Sequence, residues 1–328
     1  MKCSVIISTS NRACALEKTL QAFGRISVPT GWDAELIVVD NASKDNTADV
    51  VRKAQLKNFN VRYLYEARAG KSNALNTGLS IAQGEVLLFT DDDVVPAKDW
   101  LEKIATPLLQ LECEGVMGHV QLAENLLRTW MKADHKMALS ASNEHTRELV
   151  GANMGLHRSV FERIPAFDPE LGPGATGFGE ETLLTWQMRE AGFRLRSVPE
   201  ALVVHHPDVS RLLRSQWLNG ARRRGVSMAY ILHHWQHDEL NRPLARYYYL
   251  SFKLFIRRIF QPPPAPNEEG CPSWEMSYLA EMELCRQFIK EHRRPRNYTR
   301  HGLERKEADD ISNAKNSFMT SVKSNGTP

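Results

Sequence analysis

Short β-branched segments alternate with helix-compatible segments through the first half of the chain, and this alternation constrains the fold more than any other feature. Helices are predicted at 13–23, at 46–57 and from Ser72 onward. Four segments are predicted as strands: 3–9 (CSVIIST), 35–43 (ELIVVDNAS), 61–67 (VRYLYEA) and 85–93 (EVLLFTDDD). Strands that alternate with helices favour a mostly parallel, helix-covered sheet. The sequence therefore predicts an α/β fold.

Polar residues collect where three of these strands end. They are Thr9, Asn11 and Arg12 after the first strand, Asp40 after the second, and Asp91, Asp92 and Asp93 after the fourth. In open parallel sheets the ligand site lies beyond the carboxyl ends of the strands. We therefore expect these side chains to form one ligand site.

The three aspartates suggest a cation site. Residues two apart in a strand point to the same side, so Asp91 and Asp93 are expected to converge while Asp92 faces the other way. Adjacent carboxylates repel one another, and Mg²⁺ or Mn²⁺ bound to carboxylates and substrate phosphates would relieve that repulsion. The alternative is an exposed acidic turn that closes at Pro96.

Gly70 and Lys71 precede a predicted helix, with Ser72 as its cap. The segment is not a P-loop, because GxxxxGK[ST] is absent. Backbone amides and an ammonium group at a helix start still favour anions, so a nucleotide or diphosphate is one expected ligand. A capped surface helix is the other interpretation.

Glu180 and Glu181 lie where the Gly-rich segment 171–181 becomes a helix. A carboxylate there can accept a proton from an attacking hydroxyl group, although acidic residues also cap helix starts. Adjacent helical residues do not share a face, so only one of the two is expected to be catalytic. Of the neighbouring His205 and His206, at the end of the predicted strand 201–207, one is expected to face the site as a metal ligand.

Composition narrows the class of protein. The chain has 328 residues, a formal net charge of +3 and five scattered cysteines without a CxxC pair. This pattern indicates neither a disulfide framework nor a zinc site and predicts a cytoplasmic protein. The N-terminus reads as a strand rather than a secretory signal, and no apolar segment approaches the ~18 residues of a membrane span.

Residues 246–260 (RYYYLSFKLFIRRIF) are predicted as a helix that mixes aromatic and basic side chains. One interpretation is a helix packed on the catalytic part of the chain. The other is an interfacial helix that contacts anionic lipid on the inner face of a membrane, which would suit a lipid-linked substrate. The Pro-rich segment 261–266 follows it.

Taken together, SVIISTSNR, VVDNAS, GKSNALNTG, FTDDD, GFGEE and VVHH resemble the family 2 glycosyltransferases over residues 3–210. The resemblance implies the Rossmann-like GT-A fold in 1–210, with a nucleotide-sugar-binding half at 1–95 and an acceptor-binding half at 96–210. The rest is expected to be a helical, basic extension at 211–305 and a disordered tail at 306–328.

The resemblance also implies roles for individual residues. The nucleotide of a UDP-, GDP- or dTDP-sugar would lie across a set of polar residues: Thr9, Asn11, Arg12, Asp40, Lys71, Asp91 and Asp92. Asp91 and Asp93 match a DxD motif for Mn²⁺ or Mg²⁺, with His205 as a further metal ligand. Glu181, or else Glu180, matches the general base of an inverting, hexosyltransferase-like reaction on a glycan, lipid-linked or small-molecule acceptor, with no nucleic acid involved.

Two other functions remain open from the sequence. A sugar-1-phosphate nucleotidyltransferase also combines nucleotides, metals and an α/β sheet, but STSNRACALEK does not match the N-terminal motif of that class. A non-catalytic nucleotide-sugar-binding protein would not need the full set of acidic residues.

Overall fold

The computed structural model describes residues 1–142 and 147–306, and within them eight strands form one sheet in the order β3-β2-β1-β4-β7-β6-β8-β5. The strands are β1 (Lys2–Thr9), β2 (Asp33–Asp40), β3 (Asn60–Tyr65), β4 (Val86–Thr90), β5 (Val94–Pro96), β6 (Gly115–Leu122), β7 (Asn153–His157) and β8 (Leu195–His205). β1, β2, β3 and β4 are parallel, and Thr9 pairs with Asp40 at their carboxyl edge. The predicted strand ends therefore do meet at one edge of the sheet.

The second half of the sheet is mixed. β7 runs antiparallel to β4 and β6, while β8 is parallel to β6 and antiparallel to β5. β5 is only three residues long and follows the aspartates directly, and neither it nor β6 and β7 was predicted from the sequence. β8 begins at Leu195 rather than at residue 201, because its pairing with β6 continues across an irregularity after Gly118.

Helices cover both faces of the sheet. They are α1 (Ala13–Phe23), α2 (Thr47–Lys53), α3 (Lys71–Ile81), α4 (Trp100–Leu109), α5 (Ala133–Ala138), α6 (Glu180–Glu190), α7 (Arg214–Ile231), α8 (Pro243–Phe260) and α9 (Ser273–Glu291). Val5 and Ile7 of β1 pack with α1, α2 and α4, whereas Ile6 packs with α3 and α6 on the opposite face. This alternation of buried residues is what a central strand between two helical layers requires.

The C-terminal helices pack at the end of β6. Trp217 of α7, Leu254 of α8 and Leu279 of α9 share a core with Leu122 and Leu126. Gly225 allows α7 to approach α9 closely, since a Cβ atom there would lie 2.0 Å from the Ala280 carbonyl oxygen. None of the helices in the described ranges is long and apolar enough to cross a lipid bilayer. Apart from Lys306, the predicted disordered tail at 306–328 lies outside the described residues.

Candidate active site

The aspartates Asp91 to Asp93 form the turn between β4 and β5. Because β4 ends at Thr90, strand alternation does not apply to the triplet, and the reason given for the convergence of Asp91 and Asp93 is wrong. The turn itself brings them together. One ligand atom each from Asp91, Asp93 and His205 lie within 4.8 Å of one another.

Asp92 lies outside this group, but it is not a free carboxylate. It is 3% exposed; Thr9 donates to its Oδ2 at 2.6 Å, and Arg12 lies 3.2 Å from its Oδ1. Burial raises the pKa of Asp92 to about 6, against the opposing charge of Arg12. Through these contacts Asp92 positions the side chains of Thr9 and Arg12.

Asp93 is 4% exposed and contacts two basic side chains. Arg12 donates to its Oδ2, and His205 Nε2 lies 3.1 Å from its Oδ1. Burial alone would raise the pKa of Asp93, but the hydrogen bonds and charges of His205 and Arg12 hold it well below its usual value. Asp93 therefore stays ionised, as a metal ligand must.

His205 reaches Asp93 because β8 pairs with β5, which places His205 opposite Val94. Its Nδ1 lies 2.8 Å from the Leu139 carbonyl oxygen, an atom that can only accept, so Nδ1 carries a proton. Nε2 faces Asp93 either with a second proton or with a lone pair. A lone pair would repel the carboxylate oxygen unless a cation lay between the two atoms. The neighbouring His206 is exposed.

This donor set fits a divalent cation. Two carboxylates and one imidazole suit Mn²⁺ or Mg²⁺. The hydrogen bond from Nδ1 to a backbone carbonyl is the outer contact that orients most metal-binding histidines. Asp91, Asp93 and His205 are the residues that would hold the ion.

Lys71 connects the aspartates to α6. Its Nζ lies 2.8 Å from Asp91 Oδ1, 3.4 Å from Glu181 Oε1 and 3.9 Å from Glu180 Oε1. Burial would lower the pKa of Lys71, but the three carboxylates raise it well above its usual value, so the ammonium stays charged. Both glutamate side chains reach the same ammonium from the first turn of α6, so the prediction that only one of them is catalytic cannot rest on their facing different ways.

The two glutamates differ in burial. Glu180 is 3% exposed, and burial together with the charge of Glu181 raises its pKa well above the usual value, against Lys71. Glu181 is partly exposed and can meet a substrate. Because burial makes Glu180 hold its proton more tightly than an exposed glutamate, the accessible Glu181 is the carboxylate better placed to accept a proton.

Two glycines close the loop around Lys71. Gly70 has φ +122°, and a Cβ atom on Gly174 would lie 2.8 Å from the Gly70 Cα atom. Lys71 N–H also donates to the Pro173 carbonyl oxygen at 2.8 Å. The Gly-rich segment and the start of α3 are therefore in direct backbone contact, which no side chain at position 174 would allow.

Asp40 and Asn11, predicted to bind the nucleotide, are engaged mainly by the protein. Tyr63 and the Ser43 amide each donate to Asp40 at 2.9 Å, and the Lys44 amide donates to Asn11 Oδ1 at 2.8 Å. Asn11 adopts φ +54°, a conformation that asparagine tolerates. In these contacts the two residues shape the loops around the sheet edge.

Sequence reasoning missed two polar residues of the site. Asn41 donates to the Arg68 carbonyl oxygen at 2.7 Å and accepts from the Gly70 amide at 2.8 Å, which orders the segment that leads into α3. The half-buried Arg211 lies close enough to Asp93 and Asp91 for their charges to raise its pKa, although burial lowers it more. Asn41 adjoins Asp40 and could have been found, whereas Arg211 follows the predicted domain boundary.

A model for glycosyl transferase family 2 matches residues 4–165, which include β1 to β7 and the aspartate turn. The chain carries a family 2 glycosyltransferase domain. An uncharacterized glycosyltransferase of Nostoc sp. is 32% identical over 125 residues, 38% of this chain and 38% of that protein. Glycosyltransferase AglE of Haloferax volcanii is 25% identical over 267 residues, 79% of this chain and 82% of that protein.

A Campylobacter jejuni relative, GalNAc(5)-diNAcBac-PP-undecaprenol beta-1,3-glucosyltransferase, is 35% identical over 116 residues, 35% of this chain and 35% of that protein. The chain thus spans less than half the length of the Nostoc and Campylobacter proteins. Mannosyltransferase PcManGT of Pyrobaculum calidifontis, solved with GDP-Man and Mn²⁺, has a TM-score of 0.61 and 19% identity, over 88% of this chain and 86% of that one. This likeness concerns the fold and confirms the predicted GT-A architecture.

Proposed function

We propose that this chain is an inverting glycosyltransferase that uses a divalent cation and a nucleoside-diphosphate sugar. The observation that supports it most is the convergence of ligand atoms from Asp91, Asp93 and His205 within 4.8 Å at the carboxyl edge of the parallel strands. Lys71 joins that group to Glu181 through contacts of 2.8 Å and 3.4 Å. A metal-binding group and a candidate base therefore share one site.

The donor is a UDP-, GDP- or dTDP-sugar in this proposal. Arg12 and Lys71 supply positive charge beside the aspartates, and the Pyrobaculum neighbour was solved with GDP-Man and Mn²⁺. When bound, Mn²⁺ or Mg²⁺ neutralises charge on the diphosphate that leaves. Arg12 and Lys71 then hold the flanking carboxylates in place and offer donors to phosphate oxygens.

Glu181 accepts the proton of the acceptor hydroxyl group. The acceptor oxygen forms a bond to the anomeric carbon as the bond from that carbon to the diphosphate oxygen breaks, which inverts the configuration. The nucleoside diphosphate carries away the electron pair, so no covalent enzyme intermediate is needed. Burial raises the pKa of Glu180, so this residue gives up its proton less readily than Glu181 and is the poorer candidate for the base.

In this proposal the acceptor is an intermediate of glycan or glycolipid biosynthesis. The Campylobacter relative is named for a polyprenyl-diphosphate-linked acceptor, which supports a lipid-linked substrate here. We also keep the division into a catalytic part at 1–210 and a helical extension at 211–305. Its support is that α7, α8 and α9 pack together and contact the sheet at the end of β6.

A donor screen tests the proposal. Unfolding temperature is measured with UDP-, GDP-, dTDP- and CMP-sugars, each with and without Mn²⁺, since a ligand that binds the folded state raises it. We expect the sugars of one nucleotide class to raise the unfolding temperature only when Mn²⁺ is present. The same nucleotide-sugar should be hydrolysed slowly by the protein. Pyrophosphate release from a nucleoside triphosphate and a sugar phosphate would instead indicate a nucleotidyltransferase, and binding without any turnover would indicate a binding protein.

A further inference from the structure

Helix α8 buries one narrow face and exposes a broad apolar one. Only Leu250 and Leu254 are buried. The exposed apolar residues, which we call the aromatic face, are Leu244, Tyr248, Tyr249, Phe252, Phe255, Ile259 and Phe260, and each is between 56% and 79% exposed. Contiguous apolar surface of this kind marks an interaction site.

The spacing of the aromatic face is regular. Leu244, Tyr248, Phe252, Phe255 and Ile259 follow one another by four, four, three and four residues, which places them in one stripe along the helix. The buried residues lie on the opposite side, against α9. The stripe is therefore a continuous apolar face of an amphipathic helix and not a set of scattered surface residues.

The charges on α8 all have one sign. The helix contains four basic residues and no acidic one. Arg246 and Arg258 pair with Glu281 and Glu275 of α9, which fixes the helix to the protein. Lys253 lies 4.6 Å from the Tyr249 ring and Arg257 lies 4.7 Å from the Trp274 ring, and in the described part of the chain neither pairs with a carboxylate.

We propose that α8 binds the surface of a membrane that contains anionic lipid. The aromatic face enters the boundary between headgroups and acyl chains, and the exposed Lys253 beside Tyr249 meets lipid phosphates, whereas Arg257 packs on Trp274 of α9. Tyrosines suit this boundary because they combine an apolar ring with a polar hydroxyl group. A second copy of the chain is a poorer partner, since pairing two α8 helices would bring basic residues together with no acidic residue on either helix to balance them.

Vesicle flotation of the full chain tests this proposal without any sugar donor. We expect the protein to float with phosphatidylcholine vesicles that contain phosphatidylglycerol, and to float weakly with phosphatidylcholine alone. Added salt should release it, because the attraction between exposed charges is screened. Failure to float with the anionic vesicles overturns the proposal, and so does binding that is independent of both lipid charge and salt.

Variants identify the surface involved. Phe252→Ser with Phe255→Ser should lower the vesicle partition coefficient by at least about tenfold, because each ring loses a large apolar contact. Lys253→Glu should lower it by at least about fivefold. The matched controls are Leu111→Ser, at a residue 57% exposed outside α8, and Lys57→Glu, at an exposed lysine, and neither should change binding.

A different result would assign α8 to self-association. If the wild-type chain sediments as a dimer, fails to bind vesicles, and becomes a monomer in the Phe252→Ser, Phe255→Ser variant, the membrane proposal is wrong. Because both phenylalanines are more than 60% exposed, at 64% and 61%, we expect the variant to keep the wild-type unfolding temperature. The salt dependence of wild-type binding needs no variant at all.

Discussion

Asp93 and Asp168 are equally buried, with 4% of each residue exposed, yet their surroundings differ. Asp168 accepts hydrogen bonds from the hydroxyl groups of Tyr230 and Tyr298, both at 2.7 Å, and from the Glu170 amide at 2.9 Å. Among the described residues, the Asp93 carboxylate is in contact with Arg12 and with the ring of His205, whose Nδ1 atom already bonds to the Leu139 carbonyl oxygen. Asp168 receives its three hydrogen bonds from neutral donors, and the Arg305 Nε atom lies 3.6 Å from its Oδ1. The groups that contact Asp93 are ones that also bind metals and phosphates.

The comparison separates two uses of a buried carboxylate. A carboxylate whose oxygens are fully hydrogen-bonded within the protein stabilises the fold. A carboxylate grouped with a second acid and an imidazole can exchange those contacts for a cation. Asp168 ties α7 to the C-terminal segment around Tyr298, and Asp91 and Asp93 form the candidate metal site.

The largest expected effect is on turnover. Asp93→Asn should lower transfer by on the order of a thousandfold, because the ionised metal ligand is lost. The unfolding temperature should also fall, because the low pKa of Asp93 shows that its ionised form stabilises the folded protein, so transfer is compared per folded molecule. Asp168→Asn, assayed per folded molecule, is the matched control and should keep most of the activity; equal loss in both variants would break the comparison.

The same comparison applies to the two glutamates of α6. Glu181→Gln should lower turnover by about a hundredfold or more, while donor binding measured by thermal shift persists. Glu180→Gln should cost less than about tenfold, because burial raises the pKa of that carboxyl and so favours its neutral form, which an amide resembles. If Glu180→Gln is the more damaging change, the assignment of the base is wrong.

Asp168 should matter for stability rather than for turnover. Asp168→Asn should lower the free energy of unfolding by about 1–3 kcal/mol, because Tyr230 and Tyr298 lose a charged acceptor. Tyr298→Phe, which removes one of the two hydroxyl groups, should cost about 1 kcal/mol. Urea unfolding at neutral pH measures both, and a stable Asp168→Asn variant would show that this group does not hold the fold.

A smaller effect is expected from pH. Burial alone would raise the pKa of Glu291, but hydrogen bonds from His234 and Gln287 and the charge of Arg294 lower it from 4.5 to about 2. A folded pKa below the unfolded value gives stability that is present above pH 4.5 and is lost as the pH falls toward 2. The loss should be about 3 kcal/mol.

Acid titration of unfolding tests this dependence. Glu291→Gln should be less stable than the wild-type protein near neutral pH, and the difference should shrink as the medium is acidified. A difference that does not change with pH would show that the ionised form of Glu291 does not matter.

Much of the site was predictable because its parts lie at strand ends. The parallel strands β1, β2 and β4 are visible in the sequence, and their register brings Thr9, Asp40 and the aspartate turn to one edge. The pairing of His205 with this turn depends on β5, and a strand of three residues leaves no periodic pattern. Asp91 and Asp93 converge while Asp92 lies outside their group, but β4 ends at Thr90, so the turn and not strand alternation produces this arrangement.

The structural carboxylate was not predictable in the same way. Asp168 meets Tyr298 across 130 residues of sequence, and no motif links the two. The fold of the first half follows from local alternation, whereas the contacts of the C-terminal segment depend on how α7 and α9 pack. Sequence patterns therefore located the residues expected to meet ligands better than those that hold the C-terminal helices in place.

The most direct test is calorimetric titration of Mn²⁺ into the wild-type, Asp93→Asn and Asp168→Asn proteins in the presence of UDP or GDP. We predict that the wild-type and Asp168→Asn proteins bind Mn²⁺ with similar affinity, and that Asp93→Asn shows no saturable binding. Unchanged Mn²⁺ binding in Asp93→Asn, or none in the wild-type protein, would contradict the assignment of Asp91, Asp93 and His205 as a metal site.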